Sequence, residues 1–277
     1  MSVDVEDYFQ VQAFADRVTR ADWDDYPTRV ERNTNRVLDV FAAHDVRATF
    51  FTLGWVAERH PELIRRIVDE GHELGSHGFA HFRVFEQSPE EFRDGVRRTK
   101  RTLEDIGGVE VRGYRAATFS IGEGNLWAFE VLAEEGHVYS SSVYPVHHDF
   151  YGMPEAPRFA FFPAGEGIEE YPITTVKMGA HNLPCGDGVY FRLLPYPMSR
   201  WFMRKVNRED NSACIFYFHP WEVDPEQPRM PGISAKTRFR HYLNLSAMEG
   251  RLGRLCRDFA WDRMDRVFYE PQGSPAA

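Results

Sequence analysis

The sequence predicts one α/β domain, a distorted barrel of about seven parallel strands, and three observations lead there. Seven apolar runs bounded by turn residues are each short enough for a buried strand. Amphipathic helical patterns lie between most of them, and strand followed by helix, repeated, implies parallel strands joined by crossover helices. At 277 residues the chain suits one barrel, since folds of this class commonly run to roughly 250 residues without splitting.

The strand candidates are SVDVE, RATFFTLG, HELGSHG, VEVRGYRA, HVYSSSV, EEYPITTV and ACIFYFHP, in that order. Val37, Leu38 and Phe41 space a first helix, and Leu63, Ile64, Ile67 and Val68 a second that Gly71 is placed to end. Ser88 as N-cap, Pro89 at the first helical position and Glu91 as capping-box partner open a third, which runs to the Gly107-Gly108 stop. From about His147 to Pro197 the rhythm breaks: the stretch is rich in Gly, Pro and aromatics and too long for a plain connection, so an insertion over the site is expected. A last helix from Ser246 to about Phe259 carries Leu252, Leu255 and Phe259 on one face. The tail PQGSPAA is expected to fray, and no repeat or linker divides residues 1–277 into more than one domain.

With 43% hydrophobic and 27% charged residues the chain can bury a sizeable core. A net charge of -9 gives it no global attraction for nucleic acid or anionic membrane, and the run RRTKR reads as a solvated helix face. Cys185, Cys214 and Cys256 are odd in number and far apart, which indicates neither a disulfide framework nor a thiolate zinc site. The opening MSVDVEDYFQ has no secretory leader pattern and no run approaches a membrane span, so a cytoplasmic location is the expectation.

The polar residues that stand out fall at the C-terminal ends of strand candidates, the edge where parallel barrels build active sites. His77 and His81 follow one strand at a spacing that lets two imidazoles face one point if the chain turns helically. A zinc site needs at least one more protein ligand. In an extended SVDVE, Asp4 and Glu6 share a face, so one carboxylate could bind metal while the other acts as base; Asp7 points away unless the chain has turned, and ranks second to Glu6. His219, ending the most apolar strand, is a candidate general acid. Arg115 is a candidate to lie against Asp4. Tyr151, Tyr190, Phe191 and Trp221 are candidates for stacking on sugar faces.

Taken in order, SVDVEDYF, SHGFAH, GYRAATFS and YFHPW resemble the polysaccharide deacetylase family, the NodB-homology family or carbohydrate esterase family 4. The likeness runs from Asp4 to His219. YPVHHDFYGMP, VYFRLLPY and RFRHYLNL resemble the subgroup found with exosortase and exopolysaccharide loci. The resemblance implies a divalent metal, Zn2+ or an ion such as Co2+, held by a carboxylate and two histidines, and hydrolysis of acetamido groups on a glycan or lipid-linked sugar. It gives Asp4 the part of base, His77 and His81 the metal histidines, Arg115 the orienting arginine and His219 the general acid. Glu6 matches a variant pattern with a carboxylate two residues after the base, with Asp7 the alternative. Where the family usually has a proline after the motif arginine, this chain has Ala117, and Ser140 replaces an expected aspartate. Many members orient the acid histidine with a carboxylate near there, and Asp149 or Glu222 could substitute; with Ser140 in place of the aspartate, the alkaline limb of the pH profile is expected to lie lower than in relatives that keep the carboxylate. Two other readings stay open: a deformylase or other amide hydrolase of the same family, and a non-catalytic carbohydrate-binding descendant.

Overall fold

The computed structural model describes residues 1–148, 152–163, 165 and 167–269. Along the chain the regular elements are β1 (Ser2–Val5), α1 (Val30–Ala42), β2 (Thr49–Thr52), α2 (Gly54–Arg59), α3 (Pro61–Asp69), β3 (Glu73–Ser76), α4 (Pro89–Gly107), β4 (Gly113–Tyr114) and α5 (Trp127–Glu134). They continue with β5 (Tyr139–Ser140), β6 (Glu169–Glu170), β7 (Thr175–Met178), β8 (His181–Pro184), α6 (Gly188–Leu193), α7 (Tyr196–Glu209), β9 (Tyr217–Phe218), α8 (Ala235–Tyr242) and α9 (Leu245–Asp258). Seven strands form one sheet in the order β6-β5-β4-β3-β2-β1-β9, every neighbouring pair parallel. Each falls within one of the seven apolar runs of the sequence, and together they curl into a half-barrel. β7 and β8 form a separate antiparallel hairpin inside the stretch expected as an insertion.

Strand alternation divides the core. In β1 and its neighbours, Val3, Val5, Phe50, Phe216 and Phe218 pack with Val37, Leu38 and Phe41 of α1 and Leu252 and Leu255 of α9. Phe51, Tyr139 and Tyr217 belong to a second cluster with Tyr171 and Met264. Asp4 is level with Phe51 across the β1–β2 ladder. Two of the strands carry glycine where a side chain would collide with these rings: a Cβ at Gly75 would come 2.6 Å from Phe51, and one at Gly113 2.3 Å from Tyr139. The two outer strands, β6 and β9, share no ladder; the chain before α6 lies beside β9 instead, where the Tyr217 amide donates to the Gly186 carbonyl at 2.8 Å.

Helix boundaries follow their local chemistry. α4 begins at a complete capping box, with the Ser88 hydroxyl accepting from the Glu91 amide and Glu91 accepting from the Ser88 amide, and ends at Gly108 with φ +65°. Gly71, after α3, has φ +81°. The RRTKR run lies on α4 and faces carboxylates, Arg97 to Glu135 and Arg98 to Glu58. Among the described residues no helix is long and apolar enough to cross a membrane.

Candidate active site

At the C-terminal edge of the sheet the loops after β1, β3, β4 and β9 converge on a cavity of about 340 Å³ that Asp4, Glu6, His77, His81 and His219 all line. Asp4 lies within β1. The strand ends one residue later, and the Glu6 amide turns back to donate to the Asp4 carbonyl at 3.0 Å. Glu6 thereby enters the same cavity through a tight turn, whereas simple strand alternation was the expectation. Asp7 goes elsewhere. Its carboxylate accepts the backbone amides of Tyr8 at 2.8 Å, Arg29 at 2.6 Å and Val30 at 2.9 Å, which ties the β1 loop to the start of α1. The alternative assignment of Asp7 as metal ligand is therefore corrected: both its oxygens are engaged by the fold.

Arg115, fully buried just after β4, donates through Nη1 to Asp4 Oδ1 at 2.7 Å. The same nitrogen reaches the Ser2 hydroxyl at 2.9 Å, while Nε and Nη2 donate to the carbonyl and hydroxyl of Ser141 at 2.9 and 2.8 Å. A guanidinium held at every corner can aim a carboxylate without swinging. The backbone carbonyl of Arg115 in turn meets His77 Nδ1 at 2.9 Å. Since a carbonyl only accepts, Nδ1 carries the proton and Nε2 is left as a bare lone pair.

His77 and His81 come together without the helical turn on which the spacing argument was conditional. The loop carries Gly78 at φ +72° and His81 itself at φ +53°, and this left-handed backbone brings the second imidazole beside the first, with ring centroids 5.4 Å apart. One ligand atom from each of Glu6, His77 and His81 lies within 4.8 Å of the others. Burial pushes the Glu6 carboxyl up, but His81 and His219 outweigh it and hold it at about 2. Burial lowers His77 to about 4, so it is neutral near pH 7, the form that can ligate.

His219 follows β9 directly. Its Nε2 lies 3.5 Å from Glu6 Oε1, and its Nδ1 lies 3.0 Å from Glu222 Oε1. The same Glu222 oxygen accepts the His219 backbone amide at 3.0 Å, while its partner oxygen accepts from Arg192 Nε at 2.6 Å. Burial lowers the imidazole pKa, yet Glu6 and Glu222 prevail and raise it to about 9. Glu222 thus places a carboxylate against the imidazole, the part that Ser140 left without an acid. Ser140 hydrogen-bonds Ser142 instead, and Asp149 lies outside the described residues.

The stacking candidates divide. Tyr190 lines the cavity. Phe191 does not: it is 1% exposed and packs on Phe216 and Tyr196 in the core, because it falls on the inward face of α6. Trp221 lines the cavity but lies near-parallel to His219 and His241, at centroid distances of 5.1 and 4.2 Å, so its stacking surface is engaged by the protein's own rings. Tyr151 lies outside the described residues. Sequence reasoning passed over Arg192, which is 0% exposed and holds Glu222 from 30 residues away, and over Lys236 and Arg240 in the cavity wall. Glu222 itself carried a local signal, since a Glu three residues after the residue that precedes a helical turn can reach back to that residue's amide, and the His219 amide does donate to Glu222 Oε1 at 3.0 Å.

A family profile described as polysaccharide deacetylase matches residues 14–130, and one described only as a domain of unknown function, DUF3473, matches 141–269. His77, His81 and Arg115 fall in the first region, His219 in the second, and Asp4 and Glu6 precede both. A peptidoglycan-N-acetylglucosamine deacetylase of Bacillus cereus is 35% identical over 98 residues, 35% of this chain and 36% of that protein. A chitooligosaccharide deacetylase of Bradyrhizobium is 36% identical over 100 residues, 36% of this chain and 43% of that protein. In both cases the match spans less than half of the relative's length. A solved chain from Mycobacterium smegmatis, itself named by likeness to polysaccharide deacetylases, superposes with a TM-score of 0.62 at 20% identity over 96% of this chain and 87% of its own, which shows the shared fold.

Proposed function

We propose that this chain, whose residues 14–130 match the polysaccharide deacetylase profile, hydrolyses the N-acyl group, an acetyl, of an amino sugar in a glycan or its precursor, with a divalent cation held by Glu6, His77 and His81. The observation that carries the reading is the convergence of these three ligand atoms within 4.8 Å in the cavity that also holds Asp4 and His219. The residues fit a cation. Glu6 Oε2 is a buried oxygen without a hydrogen bond although His81 Nε2 lies 2.9 Å away, as expected where two lone pairs face a shared point. One carboxylate and two imidazoles are a zinc donor set that leaves a position open.

The chemistry supplied by a bound divalent cation is Lewis acidity toward the acyl carbonyl and a lowered pKa for water. The protein's own groups do the rest. Asp4, aimed by Arg115, accepts the proton of the attacking water. His219, protonated beside Glu222, delivers a proton to the departing amine nitrogen, which would otherwise leave as a very poor anion. His77 stays correctly oriented through its bond to the Arg115 carbonyl, so the arginine coordinates base and ligand together.

The test is release of acetate and a free amine from a chitooligosaccharide by the purified chain, with zinc measured in parallel. Chelation should stop turnover and zinc restore it. Glu6→Gln should lose bound zinc, whereas Asp7→Asn should retain it. Formate in place of acetate would move the reading to a deformylase; turnover indifferent to chelation would overturn the hydrolytic centre described above.

A further inference from the structure

α7 turns a tryptophan and a row of cations away from the core. Its buried stripe is Ser199, Phe202, Met203 and Val206; helical spacing puts Trp201, Arg204, Lys205 and Arg208 on the opposite side, where they line one shallow groove of about 290 Å³. Trp201 is 51% exposed, and Met198 on the same helix and Leu193 just before it are exposed as well. α9 ends beside this helix: the Tyr196 hydroxyl donates to Asp258, and the Arg204 guanidinium lies 5.9 Å from the Phe259 ring. Together α7 and α9 hold seven cations against three acids in a protein of net charge -9. Arg200 pairs with Asp258 at 3.0 Å and Lys205 with Glu209. Among the described residues, Arg204, Arg208, Arg254 and Arg257 enter no ion pair. A surface helix ordinarily puts only polar residues opposite its buried stripe, so an exposed tryptophan within a cationic row is unfavourable for the free chain.

We propose that the outer face of α7, with the end of α9 beside it, docks the protein on an anionic phospholipid surface, the arginines meeting lipid phosphates while Trp201 and Met198 enter the headgroup layer. Cations alone would serve any polyanion. The apolar side chains among them fit a partner with hydrocarbon beneath its charge, and a helix with Trp on a face rich in Lys and Arg has the composition of segments that lie in that interface. A local patch can do this although the net charge of the whole chain repels such a surface, because attraction and repulsion beyond about 10 Å are screened at ordinary salt. The inference goes beyond the hydrolase reading and does not depend on it.

Flotation of the purified full chain with lipid vesicles tests this, comparing phosphatidylcholine alone with an equal mixture of phosphatidylcholine and phosphatidylglycerol. Partitioning onto the anionic vesicles should be about tenfold stronger or more, and the advantage should shrink as salt rises. R204Q/R208Q should remove most of that advantage, and W201A should weaken binding to the anionic vesicles by about tenfold. Tryptophan emission should shift to the blue when anionic vesicles are added, and W201F should lose most of the shift. Melting curves of the variants should match the wild type, since none of these side chains is in the buried stripe. Equal partitioning onto both vesicles, or none onto either, overturns the proposal, as does binding that survives R204Q/R208Q. Binding that R204Q/R208Q abolishes and W201A leaves intact would make the face a site for soluble polyanions and overturn it too. So would a dimer in sedimentation that W201A dissociates while vesicles go unbound, which would assign the face to a second copy of the chain. The probes carry no sugar, so none of these outcomes bears on acetate release, and loss of acetate release leaves the docking face standing.

Discussion

His219 shows how far a single residue's chemistry depends on its partners. Left to burial alone, the imidazole would lose its proton; Glu6 and Glu222 together raise its pKa to about 9. A cation at Glu6 would offset that residue's share, while Glu222, anchored by Arg192 and by the His219 amide, would continue to raise it. Since donation requires the protonated form, activity should persist as pH rises until this pKa is passed. His219→Ala should lower kcat by about 10² to 10⁴ with zinc content and fold unchanged. Glu222→Gln keeps an acceptor for Arg192 and removes the charge, so it should move the alkaline limb of the kcat profile to lower pH. A limb that stays in place in Glu222→Gln, with turnover intact in His219→Ala, would assign proton donation to another group. Each of the two site carboxylates beside Asp4 was visible as a residue, and only their surroundings separated them: Asp7 is drawn off by three backbone amides, leaving Glu6 in the cavity.

At the scale of elements, legibility follows the range of the interactions that define each one. α4 was readable to its ends because a capping box and a left-handed glycine act within four residues. Ser88→Ala removes the hydroxyl that accepts the Glu91 amide at 3.2 Å and should cost about 1 kcal/mol, a fall in melting temperature of roughly 2 to 4 °C for a domain of this size. An unchanged melting curve would mean that packing of α4 on its neighbours, not its cap, sets that end of the helix. The strands were less readable in extent. The runs VEVRGYRA, HVYSSSV and ACIFYFHP each yield ladders of two residues, β4, β5 and β9, because the chain leaves the sheet early to build the site: Arg115, Ser141 and His219 each come immediately after the strand. The shape of the loop between His77 and His81 was not legible for a related reason. A left-handed histidine is seldom chosen by local propensity, and here it brings the ligands together.

Over the whole molecule, the buried histidines couple the fold to pH. Burial lowers His72 to about 4, His137 to about 3 and His241 to about 3. A histidine whose folded pKa lies below its ordinary 6.5 takes up its proton more readily when unfolded. Its stabilising contribution is therefore present above pH 6.5 and is lost as pH falls toward the folded value. Glu73 and Glu170 act in the opposite sense, since burial raises each to about 7 and their contribution fades as pH rises from about 4.5 to 7. The two trends oppose each other in the wild type, so a difference measurement is the clean one. Urea unfolding of His137→Leu against wild type should show the variant gaining up to about 1.4 kcal/mol per pH unit as pH is lowered from 6.5 toward 4. Curves that run parallel across that range would show that His137 stays neutral in both states or charges in both.

By itself the sequence determined the parallel half-barrel, its seven strands and the strongest helix boundaries, because apolar periodicity and caps act over a few residues and repeat along the chain. Tertiary structure alone decided which acid faces the histidines, that Glu222 stands in for the carboxylate missing at Ser140, and that Phe191 belongs to the core. The physical reason is distance in the chain. Arg192 meets Glu222 across 30 residues and the carbonyls of His241 and Leu243 across about 50, and Arg115 meets Asp4 across 111. The strength and direction of such buried charge pairs come from the packing that excludes water around them, and no local pattern encodes it.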